Sequence, residues 1–126
     1  MIRSVVLAGC LAGAAACFVM GAEPVAAVEP QAKSTFKDIE PILKRNCVSC
    51  HNVSVQRGKL RLDTYAETMK GGESGKVIVA GKANDSLLIM FLDGRKKPLM
   101  PFKKAPLPKA DIDKLSKWIN DGALER

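Results

Sequence analysis

The sequence predicts an all-α domain preceded by a separate apolar leader. Three observations carry that expectation. Twenty of the apolar side chains crowd into residues 1–27. Beyond them, apolar residues recur at helical spacing, and Gly and Pro divide that spacing into short segments. A chain of 126 residues makes at most one compact domain. Its 26% charged and 47% apolar content excludes a collagen-like or disordered chain. With the leader set aside, the apolar content is modest, so the domain would profit from a staple or an internal cofactor.

The leader comes first. Arg3 supplies a short positive start, and residues 4–21 carry no charge. Val25-Ala26-Ala27 then offers small residues suited to cleavage before Val28, the pattern of a secretory signal. If retained, residues 4–22 are just long enough to span a bilayer. Cys10, in Leu7-Ala8-Gly9-Cys10, or the poorer candidate Cys17 would be the point of lipid attachment. Residues 1–27 are therefore expected to be a signal peptide or a membrane or lipid anchor. Each route places the protein in the periplasm or another extracytoplasmic space, soluble or membrane-anchored. Residues 28–34 read as a linker and residues 35–126 as the domain.

Within the domain, Ser34 or Thr35 caps a first helix whose inner face is Phe36, Ile39 and Leu43. Pro41 falls inside it and predicts a kink or a restart. Asp63 or Thr64 caps a short helix to about Lys70, stopped by Gly71-Gly72. Val77-Ile78-Val79 is a short apolar run that reads as an extended segment. Asn84 or Asp85 caps a helix over residues 86–93, ended by Gly94, and its run of six apolar residues predicts burial on all sides. Pro98, Pro101, Pro106 and Pro108 hold residues 95–108 in an irregular loop. The last helix starts near Pro108, with proline favoured at the first position. It presents Ile112, Leu115, Trp118 and Ile119 on one face and stops at Gly122.

Twenty Lys and Arg against 13 Asp and Glu give a net charge of +7. A basic surface suits nucleic acid, an anionic membrane or an acidic protein. Stacking platforms for nucleic acid are scarce and no helix-turn-helix or zinc-finger pattern occurs, so nucleic acid is not the expected partner.

The chemistry sits at Cys47-Val48-Ser49-Cys50-His51. A C-x-x-C-H sequence is the attachment site of c-type haem. Two thiols about one helical turn apart both reach the vinyl groups as thioethers, and the adjacent histidine turns its ring to the iron. His51 is the only histidine of the chain. The alternatives are a zinc site, which needs four ligands, a thioredoxin-like pair, which needs a βαβ context, and a plain disulfide, which an exported protein allows but which leaves the histidine without a role. For the sixth iron ligand a methionine is expected, since Met/His ligation is a known c-type pair. Met69 and Met90 lie in helices, where packing is the simpler reading. Met100, in Pro98-Leu99-Met100-Pro101, lies in a loop stiffened by two prolines, which lowers the entropy lost in presenting its sulfur.

These motifs resemble class I c-type cytochromes, and most of all the planctomycete-type cytochrome c domain. The resemblance runs over roughly residues 35–123. It rests on the haem motif and Met100-Pro101, supported by Phe36, Ile39, Pro41-Ile42-Leu43, the stretch 58–63, Gly71-Gly72, Ser86-Leu87 and Trp118-Ile119-Asn120-Asp121-Gly122-Ala123. It implies a small cytochrome c fold with the N- and C-terminal helices packed around one covalent haem c. Phe36 and Ile39 would then lie near Leu115, Trp118 and Ile119. It also implies Cys47 and Cys50 as thioether residues, and His51 and Met100 as axial iron ligands. One departure stands out. Many class I cytochromes have a proline soon after the motif whose carbonyl accepts the histidine Nδ1 proton, and here none occurs between His51 and Pro98. Arg57, Lys59 and Arg61 are candidates to reach the haem propionates, or simply a solvated strip.

With both axial positions taken by protein, the expected function is electron transfer rather than catalysis: an exported monohaem cytochrome carrying single electrons between redox proteins. Lys96, Lys97, Lys103 and Lys104 bracket Met100 and are candidates to steer acidic redox partners. A haem subunit docked permanently in a membrane respiratory or dehydrogenase complex is one alternative. A haem enzyme or gas sensor with a labile sixth ligand is another.

Overall fold

The computed structural model describes residues 26–126 together with Gly13, Gly21 and Ala22. The expectations on Arg3, Cys10, Cys17 and Val25, and on the stretch 4–22 as a whole, lie outside the described residues. The chain divides into two units, Met1–Pro30 and Gln31–Arg126. The few described residues of the first are exposed and belong to no helix or strand. No helix among the described residues is long and apolar enough to cross a membrane.

The second unit is built from helices, with isolated bridges and no β-strand among the described residues. This agrees with the all-α expectation. Helix α1 spans Phe36–Asn46, α2 Tyr65–Lys70, α3 Leu87–Leu92 and α4 Lys109–Asn120.

Helix α1 starts at Thr35, whose extended backbone (φ −116°, ψ 169°) marks the cap. The Asp38 carboxylate accepts the Thr35 amide at 2.7 Å and the Thr35 hydroxyl at 3.0 Å. Those two bonds, the amide first, hold the Asp38 carboxyl below its ordinary pKa. Phe36, Ile39, Ile42 and Leu43 are buried. The restart expected at Pro41 does not occur, and the helix runs through it to Asn46. Pro41 and Lys37 are both exposed, so the carbonyl that loses its helical partner lies on the solvent side, where water serves it.

Helix α2 follows its expectation. The Thr64 hydroxyl accepts the Glu67 amide, and Gly71 at φ 86° ends the helix. Ala83–Asp85 form a 3-10 turn, so the cap expected at Asn84 or Asp85 moves to Ser86 and α3 begins at Leu87. The reason is tertiary. The fully buried Ser86 hydroxyl donates to the Lys82 carbonyl (2.9 Å) and accepts the Val79 amide (2.9 Å), which fixes the chain just before the helix. Those bonds, with Leu88 N donating to the Val77 carbonyl (3.0 Å), also explain why residues 77–79 form no strand. Burial of α3 is incomplete: Leu88, Ile89 and Leu92 are buried, while Leu87, Met90 and Phe91 are half-buried. Its cavity-facing side accounts for the difference at Leu87 and Phe91.

Helix α4 takes Pro108 as its cap residue, one position earlier than expected. Leu115, Trp118 and Ile119 are fully buried, while Ile112 packs at the core edge. The Phe36 ring meets Trp118 edge-on at 5.9 Å and Tyr65 at 5.7 Å, which packs α1 on α4 as the resemblance implied. The backbone after α4 locks this junction. The Leu124 carbonyl accepts both Phe36 N (2.8 Å) and Trp118 Nε1 (2.9 Å), and the Ala123 carbonyl accepts the Tyr65 hydroxyl (3.0 Å). Asp121 accepts the Ser34 amide at 2.7 Å.

Candidate functional site

Helical winding continues for one turn beyond α1. Cys47 N donates to the Leu43 carbonyl (2.8 Å), and both Cys50 N and His51 N donate to the Cys47 carbonyl (3.1 and 3.0 Å). One turn of rise thus brings Cys47, Cys50 and His51 to one wall, while Ser49 points to solvent. The His51 carbonyl accepts Leu62 N (2.8 Å) and the Cys50 carbonyl accepts Arg57 N (3.3 Å), which pins the turn to the following loop.

That wall borders a cavity of about 630 Å³. Leu60, Leu62, Val77, Leu87, Leu88, Phe91 and Leu92 make its apolar surface, and Met100 with Pro98 and Pro101 also lines it. The Met100 amide donates to the Phe91 carbonyl at 3.0 Å, which anchors this segment to α3. Met69 and Met90 are half-buried and line no part of this cavity. The structure therefore brings Cys47, Cys50, His51 and Met100 around one space, whose size suits a small-molecule cofactor.

Burial pushes the Cys47 thiol up to about 11, against the attraction of the Lys104 ammonium and with a small push from Cys50. It is a neutral thiol at physiological pH. Cys47 and Cys50 are both free, so the plain disulfide is not the state observed. Among the described residues no three His, Cys, Asp or Glu side chains gather as a metal-binding group. His51 Nδ1 is buried without a hydrogen-bond partner. A buried ring nitrogen left so costs about 1–3 kcal/mol. The missing post-motif proline thus has no substitute acceptor among the described residues. The donor set nonetheless fits a covalently held haem: two thiols a turn apart, an adjacent imidazole, a thioether sulfur and an apolar lining.

The charged rim differs from the strip expected. Arg57 borders the cavity. Arg61 instead pairs with Asp63 (2.8 Å) and lies 3.7 Å from Glu67, which lowers the Asp63 pKa. Lys59 is exposed in the turn after Arg57 and does not border the cavity. Lys103 and Lys104 stand on the rim, whereas Lys96 and Lys97 are exposed on the loop away from it. Lys103 also lies over the exposed Phe102 ring, 5.4 Å from its centre.

Sequence reasoning missed the roles of Gly58, Gly72 and Glu73 on this rim. A Cβ on Gly72 would come within 2.6 Å of the Gly58 carbonyl, and Glu73 N donates to that carbonyl at 2.9 Å. Loop 71–75 therefore lies directly on the turn at residues 57–59. The Gly-Gly pair was the available signal, but its contact partner is set only by the fold.

Residues 47–102 match the family model described as planctomycete cytochrome C, as the resemblance anticipated. The match runs from the first thiol to just past Met100. No curated protein and no solved structure matches the chain.

Proposed function

Proceeding from the match of residues 47–102 to the planctomycete cytochrome c family, we propose that the chain is an exported monohaem c-type cytochrome carrying single electrons between redox proteins. The gathering of Cys47, Cys50, His51 and Met100 around one apolar cavity carries this reading. Cys47 and Cys50 would hold the haem as thioethers, and His51 and Met100 would supply its iron ligands. Haem c supplies a one-electron iron couple. His51 and Met100 together would leave the iron no open site for a substrate. The leucines and Phe91 of the lining exclude water and disfavour the additional charge of the ferric state, which raises the potential alongside methionine ligation. Lys103 and Lys104 on the rim, with Lys96 and Lys97 farther along the same loop, form a cationic surface that steers acidic partners.

The test is spectroscopy and potentiometry of the purified holoprotein. A far-red sulfur-to-iron band is expected in the wild type and absent in Met100→Ala. The potential of that variant is expected to fall, on the order of tenths of a volt within the range axial ligands span. A high-spin, ligand-accessible iron in the wild type would overturn the carrier reading in favour of an enzyme or sensor.

A further inference from the structure

We propose that Lys104 and Ser49 form a latch that holds the Met100 loop against the C-x-x-C-H turn and so keeps the Met100 sulfur in place. The inference rests on the reading of Met100 as an axial ligand. The loop that carries Met100 is well tied on one side only. There, Met100 N and Lys96 N donate to the Phe91 and Met90 carbonyls (3.0 and 2.9 Å), and Arg95 donates to the Asn84 carbonyl (2.9 Å).

Toward the C-x-x-C-H turn the situation is different. The Lys104 Nζ donates to Ser49 Oγ at 3.2 Å, and among the described residues this is the one hydrogen bond joining the loop at residues 94–108 to residues 47–62. Ser49 lies between the two thiols of the motif. Lys104 stands just beyond Met100-Pro101, where its amide donates to the Pro101 carbonyl (3.2 Å) and turns the chain back. Its charge reaches Cys47 as well, so the ammonium sits beside the attachment turn. Methionine is a neutral, weakly held ligand whose lability depends on how often its loop swings away. A restraint across the mouth acts on that step, and not on the apolar core beneath. Both latch side chains are exposed, so losing the bond should change ligand exchange and leave folding intact.

The experiment titrates the holoprotein with imidazole, which competes with the Met100 sulfur for the iron. Lys104→Met and Ser49→Ala are each expected to raise imidazole affinity about fivefold, or about 1 kcal/mol at 1.4 kcal/mol per tenfold. The double variant should rise no further than either single one, because both remove the same bond. Lys104→Arg, which keeps the donor and the reach, should stay at the wild-type affinity and denaturant midpoint, while Lys104→Met should lose no more stability than that same fivefold shift. Unchanged affinity in Lys104→Met, additive effects in the double variant, or a loss of stability well beyond that fivefold shift would each overturn the latch. A wild-type holoprotein without the far-red band overturns the axial reading, and the latch with it. The band present with unaltered exchange in Lys104→Met overturns the latch alone.

Discussion

Ser86 joins three stretches of chain through one hydroxyl: the Val79 amide, the Lys82 carbonyl and the start of α3. It has no exposure to solvent. Ser86→Ala leaves the Lys82 carbonyl and the Val79 amide without that partner and should destabilise the fold by about 1–3 kcal/mol. Gly71→Ala should cost at least as much, since φ of 86° disfavours any side chain and the new Cβ would overlap the Gly75 carbonyl. Denaturant melts of the two variants check the order, and wild-type midpoints in both would refute it. The stop at Gly71 is legible in the sequence, but the role of Ser86 is not. Asn84, Asp85 and Ser86 all cap helices well, and only the contact with Val79 selects the last. By contrast, the spacing of Cys47, Cys50 and His51 is a local property, as is the pair of prolines around Met100. Those four positions were readable because their chemistry needs no knowledge of distant neighbours.

At the scale of elements, Asp121 ties the end of α4 to Ser34 just before α1, while Asp38 caps α1, and both carboxyls have depressed pKa values. Asp121 is held low by the Lys117 ammonium first and the Ser34 amide second, and Asp38 by the Thr35 amide and then its hydroxyl. A carboxyl lower in the folded than in the unfolded state adds stability that is complete above its unfolded pKa. That contribution is lost as pH falls through the folded pKa. The ordinary value here is 3.8, so the loss should appear as pH drops below about 4. Asp121→Asn should flatten the fall in melting temperature between about pH 5 and pH 3. Parallel pH profiles for variant and wild type would count against this account. The effect is small because both carboxylates are solvent-accessible. Element positions were largely legible, since apolar periodicity and glycine stops are written along the chain. Pro41 was not, because its effect depends on which way the orphaned carbonyl faces. Nor was the run 77–79, whose apolar residues look like a strand until no neighbouring strand exists to pair with it.

Over the whole molecule, the thin core and the 630 Å³ cavity belong together. On the proposed reading, a haem in this cavity buries its apolar surface only in the folded state, and its loss should remove about 3 kcal/mol. For a domain of this size that is about 10–20 °C in melting temperature. The double variant Cys47→Ala, Cys50→Ala, prepared without haem, should therefore melt that far below the holoprotein. Trp118 is the only tryptophan and is fully buried, so its fluorescence reports the transition directly. Coincident melting curves would show that the polypeptide needs no group in its centre.

The matched segment 47–102 contains neither α1 nor α4, the two longest helices among the described residues. Their junction is closed by partners such as Ser34 and Asp121, 87 residues apart, and by the Leu124 carbonyl. Closing so long a loop is entropically unfavourable until most of the structure it rewards is available. Synthesis runs from the first helix to the last, so the thiol pair emerges well before the clasp can shut. While residues 109–124 are still being made, Cys47 and Cys50 are in an unclosed chain. The order of the sequence thus opens a time window during translation in which both sulfurs remain accessible before the fold closes over them.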